Sequence, residues 1–272
     1  MIRALTAAFA LIAASSASAH SFWLEPESYD AQTDEAVLVE FKVGDLDKDG
    51  GPAINDWGLY WERVAALQSF SDKGAVDQQT AIRTTQSGET GTALLKLKGE
   101  GSHILAFASN PSFSDLEAAR FDRYVAHEGL KAIAADRAAK AGKATSGTEL
   151  YARRAKTIIN VGDAYTDVSR PVGHTLEIVP LANPMELGAS DDLRVRVLWR
   201  GEPLPEAKVF AYQIGDKTRK TGVYSTGSDG ETSVSLVKGK EHLISVVWGE
   251  PAPNDVRADY FTIFASLTFA RD

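Results

Sequence analysis

Short stretches that alternate polar and apolar side chains, each closed off by glycine, proline or aspartate, recur along this 272-residue chain and restrict it to a β-rich fold. Arg194-Val195-Arg196-Val197-Leu198-Trp199 is a clear instance, with polar and apolar side chains leaving opposite faces of one strand. Similar segments lie near 36–43, 93–98, 103–108, 176–179, 208–212, 232–237 and 242–247. Their length and spacing predict β-sandwiches rather than a parallel α/β sheet. Two passages also echo each other. Thr90-Gly91-Thr92-Ala93-Leu94-Leu95-Lys96-Leu97-Lys98-Gly99, followed by Ser102-His103-Ile104-Leu105, parallels Gly230-Glu231-Thr232-Ser233-Val234-Ser235-Leu236-Val237-Lys238-Gly239, followed by Glu241-His242-Leu243-Ile244. Both read as a hairpin whose second strand opens with histidine, and a histidine that recurs in a repeat is architecture before it is a ligand.

The fold expected from this pattern is mainly β: two tandem sandwich halves, Ig-like or prealbumin-like, over 20–112 and 161–272. A helical insertion is expected between them, over 113–160. Ser114-Asp115-Leu116-Glu117 and Ser146-Gly147-Thr148-Glu149 are capping-box patterns, with glutamate three residues after serine. They introduce expected helices near 116–125 and 150–159, with an alanine-rich one over 130–141. Arg153, Arg154 and Lys156 then read as a basic cluster on a wet helix face.

The first 19 residues have the layout of a secretory signal peptide: Arg3, an apolar run to about Ala14, and the cleavage box Ala17-Ser18-Ala19. Cleavage after Ala19 predicts a periplasmic protein that begins at His20. Losing Arg3 from 29 basic residues leaves 28 against 37 acidic ones, a net charge of −9. That balance argues against nucleic acid or an anionic membrane surface as partner. No later segment reaches the ~18 apolar residues of a spanning helix, so the chain is expected not to be membrane-embedded. With no cysteine, disulfides, thiolate metal sites and a lipidated cysteine are excluded.

A terminal histidine presents its α-amine and imidazole to one metal ion as a chelate, because an α-amine of pKa about 8 deprotonates near neutral pH. His20 is therefore the leading metal ligand. No HExxH and no helical His pair occurs, so any further ligand comes from a distant part of the chain. His174, in Arg170-Pro171-Val172-Gly173-His174 at the junction of the halves, is the foremost candidate, ahead of His127. A second constellation, Asp45-Leu46-Asp47-Lys48-Asp49-Gly50 with Asp56 in twelfth place, follows the calcium-loop pattern. Pro52 and the shortness of Asp56 depart from it, and the strand-like flank argues against a paired EF-hand. No nucleophile elbow, thiol nucleophile or phosphate loop supports a hydrolase, and no enzymatic activity is expected.

Several segments together resemble the exported DUF4198 family, related to the nickel- and cobalt-uptake-associated periplasmic components (NikM-like). They are His20-Ser21-Phe22-Trp23-Leu24-Glu25-Pro26, Phe121-Asp122-Arg123-Tyr124 with Glu128-Gly129-Leu130, and Ala152-Arg153-Arg154-Ala155-Lys156-Thr157. Further along come Leu176-Glu177-Ile178-Val179-Pro180-Leu181, Val195-Arg196-Val197-Leu198 with Gly201-Glu202-Pro203-Leu204, and Ala265-Ser266-Leu267-Thr268-Phe269. The second half is similar to transthyretin-like or carboxypeptidase-regulatory-like sandwiches. The resemblance implies a soluble accessory of nickel or cobalt uptake, serving a membrane metal transporter and holding the ion through His20. Other histidines of the family are absent here, which keeps Cu²⁺ open beside Ni²⁺ and Co²⁺. Two alternatives stand. One is an amino-terminal-histidine copper protein, for copper handling or oxidative polysaccharide chemistry. The other is a non-catalytic interaction module in which the aspartate loop holds Ca²⁺.

Overall fold

A computed structural model describes residues 21–46, 53–54, 59–84, 91–140, 146–188, 192–215, 218–253 and 256–271. Among these, three sheets account for most of the chain. Sheet one runs β1 (Ser21–Pro26), β3 (Ala36–Asp45), β8 (Thr92–Lys96) and β7 (Ile82–Arg83), with β4 (Ala53–Ile54) on the end of β3. Sheet two, the long central one, runs β16 (Arg219–Ser225), β15 (Lys208–Ile214), β18 (Lys240–Pro251), β19 (Tyr260–Arg271), β11 (Ser146–Val161), β9 (Gly101–Ser109), β5 (Val64–Ser71) and β6 (Gly74–Asp77). β2 (Asp30–Ala31) and β10 (Ser112–Glu117) also pair with β11. Sheet three consists of β12 (Leu176–Pro180), β13 (Leu193–Trp199) and β14 (Glu202–Pro203), with β17 (Glu231–Val234) on β13.

The fold is mainly β, and its two sandwich halves share the central sheet. Sheet one packs on one face through Phe22, Leu24, Val39 and Phe41 against Leu67, Leu105, Phe107, Ala155 and Ile159. Sheet three packs on the other face through Leu176, Ile178, Val195 and Val197 against Ala152, Ile158, Ile244, Ile263 and Leu267. β11 serves both cores: its odd-numbered side chains enter one and its even-numbered ones the other, and every residue from Ala155 to Val161 is buried. β11 is therefore a strand where the capping signature and the Ala/Arg/Lys content predict a helix over 150–159. Burial between two sheets overrides intrinsic helix propensity. The basic residues are accordingly not on a wet face. Arg153 and Lys156 are buried, and Lys156 Nζ donates to Glu177 Oε1 at 2.7 Å.

The echoing passages are real structural equivalents but not hairpins. β8 belongs to sheet one and β9 to sheet two, as β17 belongs to sheet three and β18 to sheet two. Each passage carries the chain across a sandwich rather than along one sheet. The recurring histidines brace those crossings. His103 Nε2 lies 3.0 Å from the Gly99 carbonyl and His242 Nε2 lies 3.0 Å from that of Val237.

Two helices, α1 (Ala118–Glu128) and α2 (Lys131–Ala139), cover the part of the central sheet that sheet one leaves open. Helix α1 starts after Glu117, whose carboxylate accepts from the Ala119 and Arg120 amides. The expected cap, Ser114, lies instead in β10. Phe121, Tyr124, Val125 and Glu128 form the buried stripe of α1 at helical spacing. Among the described residues no helix is long and apolar enough to cross a membrane.

Candidate metal site

Chain geometry brings the start of β1 to one corner of the molecule. Phe22 and Leu24 enter the core under sheet one, while Trp23 enters a second cluster with Leu46, Phe210, Tyr212 and Leu243. Burying side chains of this size stabilises by about 1.5–3 kcal/mol each, so the strand is anchored immediately after residue 20. The register pairs Ser21 with Gly44 and Phe22 with Val43. Asp45, itself buried, and Leu46 therefore adjoin the beginning of β1.

Helix α1 ends at the same corner. Gly129 adopts φ 72°, which a side chain disfavours, and both its amide and that of Leu130 return to the Val125 carbonyl. This termination sets His127 and Glu128 in the last turn. Lys208 Nζ donates to the His127 carbonyl at 2.5 Å, closing the helix end with a cation. The His127 ring stacks on Phe210 at 5.2 Å and 11°. Its Nδ1 is 2.9 Å from Oε1 of Glu128, a carboxylate only 6% exposed.

Ser21, Leu46, His127, Glu128, Phe210 and Phe264 line one small cleft of about 20 Å³, the size of a single water or ion. A carboxylate that takes the Nδ1 proton of a histidine fixes the tautomer and leaves the lone pair on Nε2. That is the arrangement common to metal-ligating imidazoles. Among the described residues no three His, Asp or Glu side chains converge, so His127 and Glu128 need a further donor to hold an ion.

Residues 17–250 match the family described as "Domain of unknown function (DUF4198)". The chain belongs to the DUF4198 family. No curated protein matches it significantly. Among solved structures, this DUF4198 protein is similar to the Yersinia pseudotuberculosis adhesin InvE at 12% identity and a TM-score of 0.23. The match covers 92% of this chain and 58% of the adhesin. It is also similar to trypsin-activated alpha-2-macroglobulin from Escherichia coli, at 11% identity and a TM-score of 0.24, over 95% of this chain and 16% of that one. Murine CEACAM1b follows at 9% identity and a TM-score of 0.20, over 93% and 100%. The chain thus spans less than two thirds of the first two, and likeness at this level carries no functional argument.

The residues singled out in the DUF4198 sequence fall in different places. His20, Asp47, Asp49 and Asp56 lie outside the described residues. Asp45 ends β3 and pairs with Ala53 of β4, so the segment that holds the aspartate loop is flanked by strand residues. His174 is partly buried beside Lys156 and Arg154. Those two leave β11 on the side of Ala152 and Ile158, facing sheet three. The Ser21 cleft lies on the opposite face, since Phe22 packs under Arg153. The central sheet therefore separates His174 from the start of β1. Burial, then the charges of Lys156 and Arg154, push the His174 imidazole down to about 3. Cations beside it also disfavour a metal ion. Its ring is expected to stay neutral to about pH 4 in an NMR titration, and His174→Ala is expected to leave metal affinity unchanged; a loss of metal binding would place the site on the wrong face.

Proposed function

We propose that the mature DUF4198 protein is exported to the periplasm and carries a transition-metal ion at its amino terminus, as an accessory to a membrane metal transporter. The observation that supports this reading is the shared cleft of Ser21, His127 and Glu128. Peptide geometry holds the Cα of residue 20 within about 3.8 Å of that of Ser21. After cleavage behind Ala19, the His20 amine and imidazole would be the donors that the His127–Glu128 pair needs. His127 would supply a third nitrogen through Nε2, while Glu128 orients the ring and Phe210 holds it flat. The cargo is Ni²⁺ or Co²⁺ if the uptake role implied by the family resemblance holds. Copper handling is the second reading, favoured by the same pair: an amine with two imidazoles binds Cu²⁺ most strongly of the divalent first-row ions.

Calorimetric titration of Ni²⁺, Co²⁺, Cu²⁺ and Ca²⁺ into protein of verified terminus tests this. One transition-metal ion per chain is expected, with affinity falling at least about 100-fold in His20→Ala or when one residue precedes His20. Glu128→Gln is expected to weaken binding about 10- to 100-fold by releasing the His127 ring. No transition-metal binding by a correctly exposed terminus would remove the proposal.

A further inference from the structure

The inward face of β5 and β9 changes character along its length. Leu67 opposite Phe107 is core, Ser69 opposite Leu105 is half polar, and two residues further along the same face stand Ser71 and His103. All three polar side chains are buried, His103 to 3% exposure, where a sandwich interior calls for apolar groups. They line an open cleft of about 210 Å³ between sheets one and two, together with Gln78 and three lysines: Lys73, Lys96 and Lys98. Gln78 Nε2 donates to Ser69 Oγ at 2.9 Å, and His103 is held to the Gly99 carbonyl, so the floor is ordered. The Lys73 ammonium lies over Gly99, in space that a side chain at this position would take, with Gly99 at φ +91°. Among the described residues none of the three lysines has a carboxylate partner. This is a concentration of unanswered positive charge on a chain of net charge −8.

We propose that this cleft binds a compact oxyanion carrying two or more negative charges, of the phosphate or small polycarboxylate class. The lysines supply the attraction, and the hydroxyls of Ser69 and Ser71 supply directed donors at the floor. The volume is below that of most drug-sized ligand sites, which fits a compact anion and not a larger molecule. The competing role for such lysines is to guard the free edge of β6 against strand addition, which requires no ligand.

Calorimetric titration of inorganic phosphate and of citrate into the full-length mature protein, with chloride at matched ionic strength as control, separates the two. One anion per chain is expected, with affinity falling about fivefold for each of Lys96→Gln and Lys98→Gln. Both lysines are exposed, and an unchanged thermal melt confirms that the variants fold. His20→Ala is expected to leave anion affinity unaltered. Heats no greater than those of chloride, or affinity unchanged in the double lysine variant, would overturn the site. Binding confined to vesicles containing anionic lipid, with none to the free anions, would overturn it as well.

Discussion

Replacing Glu177 with glutamine is expected to destabilise the protein by about 3–5 kcal/mol at pH 7, measured by denaturant unfolding. The carboxylate is 2% exposed and serves four donors at once. Lys156 Nζ and the Val172 amide both donate at 2.7 Å, and the Gly173 and His174 amides at 3.0 and 3.1 Å. A glutamine keeps an oxygen for the amides but leaves the Lys156 ammonium, 1% exposed, without a counter-charge in the interior. Burial already holds Lys156 below the ordinary lysine range, Glu177 opposing that shift. A folded-state pKa below the unfolded one makes stability rise with pH on the alkaline side, where only the unfolded chain keeps its proton. The deficit of Glu177→Gln is therefore expected to shrink towards pH 10. Adding Lys156→Met, which removes the stranded charge, is expected to recover part of the loss. A single-variant cost below 1 kcal/mol would show that the pair is solvated.

Glu149→Gln is expected to act in the opposite direction. Glu149 lies beneath α1, 4% exposed, accepting from Thr262 Oγ1 at 2.7 Å with the hydroxyls of Tyr124 and Ser114 close by. Burial outweighs these hydrogen bonds and raises its carboxyl to about 7. The nearby phenol of Tyr124 is pushed up as well, by burial and then by the charges of Glu149 and Glu128. Because the folded protein holds the Glu149 proton more tightly than the unfolded chain, this residue's contribution is greatest below pH 4.5. It declines by about 1.4 kcal/mol per pH unit up to pH 7, about 3 kcal/mol in all. Glutamine retains an acceptor for Thr262 and never ionises. The variant is expected to exceed the parent by up to about 3 kcal/mol at pH 8, with the difference vanishing below pH 4.5. Equal stability at both pH values would mean that Glu149 ionises as freely as in water.

The strands with clear alternation, such as β13 and β8, were legible because one face of each meets a core. β11 was not, since Ala152, Arg153, Arg154, Ala155 and Lys156 are good helix formers and only the arrival of two sheets makes them a strand. The repeat around His103 and His242 was visible, but not that each copy crosses between sheets, because nothing local distinguishes a crossing from a hairpin. Of the candidate site, His20 stood out through the cleavage box. His127 carried one sequence signal, its place in the last turn before Gly129. Its approach to Ser21 and Phe210 depends on contacts across more than 80 residues. His174, prominent at the junction, is cut off by β11, whose position no spacing in the sequence reveals.

The most direct test of the terminal metal site is electron paramagnetic resonance of the Cu²⁺-loaded mature protein beside its His127→Ala variant. The account predicts a single species with nitrogen couplings from the amine and two imidazoles, reduced by one imidazole in the variant, whose fold and thermal melt stay intact. An identical nitrogen count in both proteins would contradict it, by showing that the ion is held without His127.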